Sequence, residues 1–304
     1  MNAHVQTEGT APLVGAPVDL ALPGGPGAAR AALAGLREIE VDYEDGIAWS
    51  WMRHTGRPAI TKPLIADGHA WAKQLGVLAA SGDVRFGVLG SRFPGIYNLG
   101  GDLKLFAEHI RSRDLDSLVR YGEACVALAK TLRDASAAGL VSVALVQGTA
   151  MGGGFEGARF MDLVVAERSA KFGLPEALFN LFPGMGAVSH LVRRVGPRRA
   201  REMLLDGADF DAQSMYDAGI VDILAEDGTG QDAIRAYARK YRRRHNALSS
   251  ICGAVRDAGP SDAELVAIVR FWAESALKIA DSDLRMMEKL VQRQERLLGV
   301  EAAA

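Results

Sequence analysis

Two glutamates in apolar surroundings are the residues of this sequence best suited to proton transfer. Glu156 lies between Phe155 and Phe160, and Glu176 follows the pair Leu174-Pro175. Burial of a carboxylate in such a setting is costly and tends to raise its pKa. Two carboxyls that share a water would lose their protons at different pH values, so that one can act as an acid while the other acts as a base. The spacing alone equally allows that one of them is a helix-turn acid without a chemical role.

Two glycine-rich turns could supply hydrogen-bond donors for a negatively charged oxygen. One spans residues 97–102, and the other spans 148–157 and contains the run 152–154 of three glycines. N–H groups at the start of a helix lack an intrahelical acceptor and lie at the positive end of the helix dipole. If both turns meet at the carboxyl edge of one parallel sheet, one N–H from each would form an oxyanion hole. Either turn alone is also explained by the tolerance of glycine for tight turns.

The segment 152–157 also matches the G-x-G-x-x-G pattern of dinucleotide-binding proteins. We reject this interpretation because Glu156 would lie in the first helical turn and repel a pyrophosphate. Glu176 follows a Leu-Pro turn, whereas a ribose-binding acid belongs at the end of a second strand. The sequence contains no nucleophile elbow, phosphate loop or H-E-x-x-H motif, and its histidines form no ligand cluster. We therefore expect neither a metal nor a bound cofactor.

The composition excludes several classes of protein. The chain has 304 residues, of which 24% are charged and 49% hydrophobic, as is typical of a folded globular protein. The net charge of −2 argues against a general nucleic-acid binder, and the 2 cysteines are too few for a disulfide scaffold or a cysteine-rich zinc site. No apolar run approaches the roughly 18 residues of a membrane span, and the first residues do not resemble a signal peptide. We expect a cytoplasmic protein that binds neither membranes nor nucleic acid.

Hydrophobic patterning predicts an α/β core followed by helices. The predicted strands are 39–43, 47–52, 84–89, 140–146, 161–165, 171–172 and 220–224. The predicted helices are 64–78, 103–110, 115–137, a short one after the three glycines, one after the turn 183–186, and most of the chain beyond 230. We expect a disordered tail at 1–36 that becomes helical near its end, an α/β core at 37–228 and a helical region at 229–304.

Several ordered motifs resemble those of the crotonase, or enoyl-CoA hydratase, superfamily. They are the segments 98–103, 144–156, 172–176, 183–186 and 218–222. The resemblance covers roughly residues 37–300. It implies an α/β fold, a crotonase-like spiral of ββα units with a helical C-terminal trimerisation region, and a homotrimer or hexamer.

Finer features resemble one branch of that superfamily, the diffusible-signal-factor synthases of bacterial quorum sensing. They are the Gly-Gly-Asp turn at 100–102, the Val-Gln-Gly at 146–148, Phe155, the run 174–186 and the C-terminal segment 268–290. This resemblance implies a 3-hydroxyacyl thioester substrate on acyl carrier protein (ACP). The enzyme would dehydrate it to a cis-2-enoyl thioester and hydrolyse that to the free fatty acid, so it would be a lyase with thioesterase activity.

The resemblance also implies a role for each site residue. The N–H groups of Gly101 and Gly153 would hold the thioester oxygen. Glu176 would take the α-proton, and Glu156 would protonate the departing 3-hydroxyl. The other residues expected to contact substrate, including an acyl tunnel of methionine and aromatic side chains, are Leu99, Gly100, Gly152, Phe179, Phe182, Met185, Trp272 and Leu290.

Two other functions stay open at this point. A trans-2-enoyl-CoA hydratase or isomerase would use the same residues and differ in its product. A non-catalytic crotonase-fold binding module would need neither the acids nor the glycine turns, so the presence of all four argues against it. Basic clusters at 193–199 and 242–244 could meet an acidic carrier protein or the phosphates of CoA, or be solvated helix faces.

Overall fold

A computed structural model describes residues 25–298, and residues 1–24 and 299–304 lie outside the described part. The strands are β1 (Ile39–Glu44), β2 (Ile47–Met52), β3 (Phe86–Ser91), β4 (Ile96–Asn98), β5 (Val141–Val146), β6 (Thr149–Met151), β7 (Leu163–Glu167), β8 (Lys171–Gly173), β9 (Asp209–Asp211) and β10 (Ile223–Ala225). The α-helices are α1 (Gly25–Ala34), α2 (Lys62–Ala80), α3 (Leu103–Arg111), α4 (Leu115–Ala137), α5 (Gly153–Arg159), α6 (Ala187–Asp206), α7 (Ala212–Asp217), α8 (Gly230–Tyr241), α9 (His245–Asp257), α10 (Asp262–Ala276) and α11 (Asp281–Leu298). Two 3₁₀ turns cover Pro175–Phe179 and Arg242–Arg244.

Helix α1 lies inside the segment that was expected to be a disordered tail. Its Ala29 and Leu33 are buried and join the main hydrophobic core, so residues 25–34 are folded onto the protein. The helix expected near the end of the tail is thus present and begins earlier than expected. The rest of the predicted tail lies outside the described residues, and the domain boundaries at 36 and 228 stay a prediction.

The larger layer is a six-stranded sheet in the order β1-β2-β3-β5-β7-β10. Strands β1 and β2 form the expected antiparallel hairpin, and each later pair is parallel. Every residue of β2 and of β5 is buried. This is the pattern of a parallel sheet that is covered on both faces, and it explains why the continuous apolar runs were readable as strands.

A smaller four-stranded sheet has the order β4-β6-β8-β9. Strands β4, β6 and β8 are parallel to one another, and β9 pairs antiparallel to β8. Each parallel strand directly follows a strand of the larger sheet, so that β3-β4-α3 and β5-β6-α5 are ββα units and β7-β8 leads into a 3₁₀ turn. The expected repetition of ββα units is therefore present, with the two strands of each unit in different sheets.

Three strands of the smaller sheet were not predicted. Strands β4 and β6 lie in segments interpreted as turns, and β9 was not assigned at all. Each has only 3 residues, which is too short to show an alternating pattern. The last strand of the larger sheet also begins at Ile223 rather than at Ile220.

The C-terminal helices are confirmed and cover two different surfaces. Helices α8 and α9 place Ile234 and Leu248 against the larger sheet. Helices α10 and α11 pack on α4 and α3 and place Trp272 and Met287 in a second cluster with Phe106. This second cluster lies beside the ends of the smaller sheet. Among the described helices, none is long and apolar enough to cross a membrane.

Candidate active site

A narrow cavity of about 50 Å³ lies at the carboxyl ends of β4 and β6. It brings together ten of the twelve residues that the sequence singled out. These are Leu99, Gly101, Gly152, Gly153, Glu156, Glu176, Phe179, Met185, Trp272 and Leu290. The parallel pairing of β4 with β6 places the two glycine turns side by side, as expected, although in the smaller sheet.

Gly100 was expected to contact substrate, and the structure places it behind the turn instead. Its N–H donates to Asn98 Oδ1 at 2.8 Å, and its carbonyl accepts from Ile60 N at 2.7 Å. Its φ of +90° is in the left-handed region, and a Cβ there would lie 2.8 Å from Gly153 N. Gly100 therefore shapes the turn and allows the two turns to approach closely.

Phe182 is the second residue that lies outside the cavity. Its ring packs on that of Phe271 with the centroids 5.3 Å apart, and Phe271 is 61% exposed. The neighbouring Leu181 is buried and lines the cavity in its place. The cavity is thus lined by the residue that precedes the expected one in the chain.

The N–H groups of Gly101 and Gly153 are the two candidate oxyanion donors. Helix α5 begins at Gly153, and its first hydrogen bond runs from Glu156 N to Gly152 O at 2.9 Å. A Cβ on Gly153 would lie 3.3 Å from Gly101 N, so the two N–H groups are close together. In the described residues neither N–H has an acceptor. The pair can therefore receive an oxygen that carries negative charge.

A side chain at either donor position would have to displace a neighbour. A Cβ on Gly101 would lie 2.6 Å from the ring of Phe106, and one on Gly153 would lie 2.3 Å from Met185 Cε. Both distances are shorter than any ordinary carbon contact. The close packing against Phe106 and Met185 thus confines the space in which the oxygen would sit.

Glu156 is buried on α5 and is held by backbone donors. Its Oε1 accepts hydrogen bonds from Met185 N and Ala187 N, each at 2.9 Å. Burial raises the pKa of this carboxyl above its ordinary value, and the two N–H donors partly oppose that rise because they stabilise the charged form. The segment between the 3₁₀ turn and α6 therefore fixes the orientation of this acid.

Glu176 faces the same cavity from the 3₁₀ turn Pro175–Phe179. Its Oε1 would lie only 2.6 Å from a Cβ on Gly152, and its Oε2 is buried with no partner in the described residues. Burial is the main cause that raises the pKa of Glu176, and the nearby charge of Glu156 raises it further. Because the two carboxyls interact, the loss of a proton from one changes the pKa of the other. The donors on Glu156 favour a resting state with the proton on Glu176.

Other residues shape this site without a signal in the sequence. Tyr121 on α4 donates from its hydroxyl to Ile60 O at 2.5 Å and accepts from Asp102 N at 3.3 Å. The half-buried Arg57 donates to Asp102 Oδ1 at 3.2 Å and to Gln294 Oε1 at 3.3 Å. These contacts fix the turn that carries Gly101. They join segments far apart in the chain, so no local pattern could have revealed them.

Comparison with known proteins agrees with this geometry. The model of the enoyl-CoA hydratase/isomerase family matches residues 71–293. The 2,3-dehydroadipyl-CoA hydratase of Escherichia coli is 37% identical over 115 residues, which are 38% of this chain and 45% of that protein. The mitochondrial methylglutaconyl-CoA hydratase of Mus musculus is 27% identical over 198 residues, which are 65% of this chain and 60% of that protein. The matches thus span about half the length of these curated relatives.

Solved structures show the same architecture. Pseudomonas aeruginosa DspI has a TM-score of 0.60 at 28% identity, over 71% of this chain and 84% of DspI. An enoyl-CoA hydratase from Bacillus halodurans has a TM-score of 0.68 at 17% identity, over 83% of this chain and 100% of that chain, and shows the fold alone. The crotonase fold expected from the sequence is confirmed. Because the family model covers most of the chain, the protein belongs to the enoyl-CoA hydratase/isomerase family.

Proposed function

We propose that this protein adds or removes water across the Cα–Cβ bond of an acyl thioester. The observation that carries the proposal is one cavity that holds two buried carboxyls, Glu156 and Glu176, beside the free N–H groups of Gly101 and Gly153. The donors suit the thioester oxygen, on which charge develops when the α-proton leaves. Loss of one such donor typically slows a reaction by about 10²–10³-fold.

The two carboxyls divide the proton transfers. In dehydration, carboxylate Glu176 takes the α-proton and protonated Glu156 gives its proton to the departing 3-hydroxyl, which leaves as water. In hydration, Glu156 takes a proton from the attacking water and Glu176 protonates the α-carbon. Each positioned group contributes about 10²–10⁴-fold. The resting proton on Glu176 suits the hydration direction, and dehydration uses the form with the proton on Glu156.

The finer proposal is the one that the sequence motifs suggest. A 3-hydroxyacyl thioester on acyl carrier protein or CoA is dehydrated to a cis-2-enoyl thioester, and water then attacks its carbonyl. A carboxylate takes the proton of that water, the new C–O bond forms, the C–S bond breaks, and the thiol leaves with a proton. The support is the resemblance of the glycine turns and of the segment 174–186 to diffusible-signal-factor synthases.

A trans-2-enoyl-CoA hydratase is the second candidate. The names of the curated relatives favour it, because both are hydratases of CoA thioesters. The expected homotrimer or hexamer stays a prediction under either function.

Mass spectrometry of the purified protein with 3-hydroxydodecanoyl-ACP, 3-hydroxydodecanoyl-CoA and trans-2-dodecenoyl-CoA separates these functions. Release of free 2-enoic acid that matches a cis standard supports the finer proposal. Reversible water addition on the CoA thioester without release of acid supports the hydratase. The variant with Glu156→Gln and Glu176→Gln should do neither. Wild-type protein that changes none of the three substrates would refute both candidates.

A further inference from the structure

A second cavity, of about 110 Å³, lies directly behind the proposed oxyanion donors. Its walls come mainly from apolar side chains of α2, α4 and the segment around α5, among them Trp71, Leu132, Phe160 and Met161. Gly153 and Met185 line this cavity and the active-site cavity alike. These two residues therefore lie between the two spaces.

The partition between the cavities consists of flexible side-chain ends. A Cβ on Gly153 would lie 2.3 Å from Met185 Cε and 3.1 Å from Ile60 Cδ1, so both side chains pack over this glycine. Methionine has three rotatable bonds and adapts readily to a ligand. Rotation of the Met185 side chain would join the cavities and leave its backbone N–H on Glu156 unchanged.

Gly157 maintains the second cavity at a cost to stability. It lies inside helix α5 and lines the cavity, and a Cβ built on it would meet no atom within 4 Å. A glycine inside a helix is less favourable than alanine, and an unfilled apolar space loses packing contacts as well. Alanine here would favour the helix and add a methyl group to the cavity without a clash. A chain selected only for stability would therefore not keep glycine at this position.

We propose that the second cavity, which we name the tail compartment, receives the distal methylenes of a medium-length or long acyl chain, and that Gly157 sets the chain length that fits. An apolar cavity of roughly 150 Å³ stays dry and takes up apolar ligands, so a space of about 110 Å³ suits a short alkyl segment. The thioester and its first carbons would occupy the active-site cavity, and the chain would pass Met185. This inference rests on the proposed function for the position of the thioester.

The test compares two chain lengths in matched variants. Gly157→Leu fills the tail compartment. The control variant Gly27→Leu places the same change at an exposed position of helix α1, where a Cβ also meets no atom within 4 Å. Dodecanoyl-CoA and butanoyl-CoA, which lack the reactive groups, are titrated calorimetrically into each protein. The ratio of kcat/KM for twelve-carbon and four-carbon 2-enoyl-CoA is then measured.

The ratio of binding affinities and the ratio of kcat/KM values should both favour the twelve-carbon chain in the wild type and in Gly27→Leu. Exclusion of each methylene costs roughly fourfold in affinity, so Gly157→Leu should reduce the preference by more than tenfold. Gly157→Ala, which meets no neighbour and favours the helix, should show a smaller reduction and serves if the leucine variant does not fold. Equal affinity for both chain lengths in the wild type, or a preference that Gly157→Leu leaves unchanged, would overturn the inference. Chain-length-dependent binding without turnover would refute the proposed function and leave the tail compartment supported.

Discussion

The two sheets of this protein differ in size, in burial and in what they carry. The larger sheet has long, fully buried strands such as β5, and most of its side chains serve only the core. The smaller sheet has strands of 3 residues, and the segments that leave β4, β6 and β8 bring the donors and the acids together. Stability and chemistry thus rest on neighbouring layers of the same ββα units. Equivalent substitutions in the two sheets should therefore have different consequences.

The carboxyls provide the largest contrast. Glu156→Gln or Glu176→Gln should reduce kcat by about 10²–10⁴-fold, because each removes one proton transfer. The matched change in the larger sheet is Glu167→Gln, at a buried glutamate on β7 that accepts from Gly230 N at 3.0 Å. It should alter the free energy of unfolding and leave kcat of the folded enzyme within a few-fold. Steady-state kinetics and urea unfolding check both statements, and a rate loss in Glu167→Gln as large as in the others would contradict the contrast.

Two glycine-to-alanine variants compare the active site with the larger sheet, since each adds a single methyl group. Gly153→Ala keeps the N–H but should lower kcat by up to about 10²-fold, because its Cβ would displace Met185 and crowd the donor pair, and a misplacement of about 1 Å can have that effect. Gly87→Ala in β3 meets a similar obstacle, since its Cβ would lie 2.7 Å from Leu75 Cδ1. That change should lower the unfolding temperature and spare kcat. If the two alanine variants lose activity equally, the donors have no special role.

The pH dependence of stability is the smallest expected effect. Burial raises the pKa of Glu156 and of Glu176, so the folded state binds their protons more tightly than the unfolded state does. This contribution is complete below the unfolded value, roughly pH 4, and is lost as the pH rises through the raised folded values. The double glutamine variant lacks this titration. In calorimetric unfolding, the melting temperature of this variant should rise relative to that of the wild type as the pH increases from about 5 to 8. A constant difference would contradict the raised pKa values.

The sequence predicted the larger sheet better than the smaller one for a physical reason. Runs such as 140–146 are apolar at every position but Ser142 because both faces of the strand are buried, and that signal is local. Strands of 3 residues depend on pairing with distant partners, so β4, β6 and β9 left no pattern to read. The sequence nonetheless allowed the candidate acids and donors to be proposed, because their motifs are compact in the chain.

The two expected site residues that lie outside the cavity have a similar explanation. Gly100 and Phe182 were expected to contact substrate because they adjoin the motifs in sequence. Turn geometry instead directs Gly100 behind the site and Phe182 onto Phe271. Tyr121 and Arg57 reach the Gly101 turn across the fold, through contacts that exist only once the helices have packed. Tertiary packing, rather than composition, decides which neighbour of a motif enters the cavity.

Met185 serves the site with two separate parts of one residue. Its backbone N–H binds Glu156, and its side chain packs over Gly153 between the two cavities. A substitution at position 185 replaces only the second of these contacts, since every residue except proline supplies the same N–H. Under the proposed function, acyl preference could therefore change through substitutions at this position while the contact that orients Glu156 stays the same.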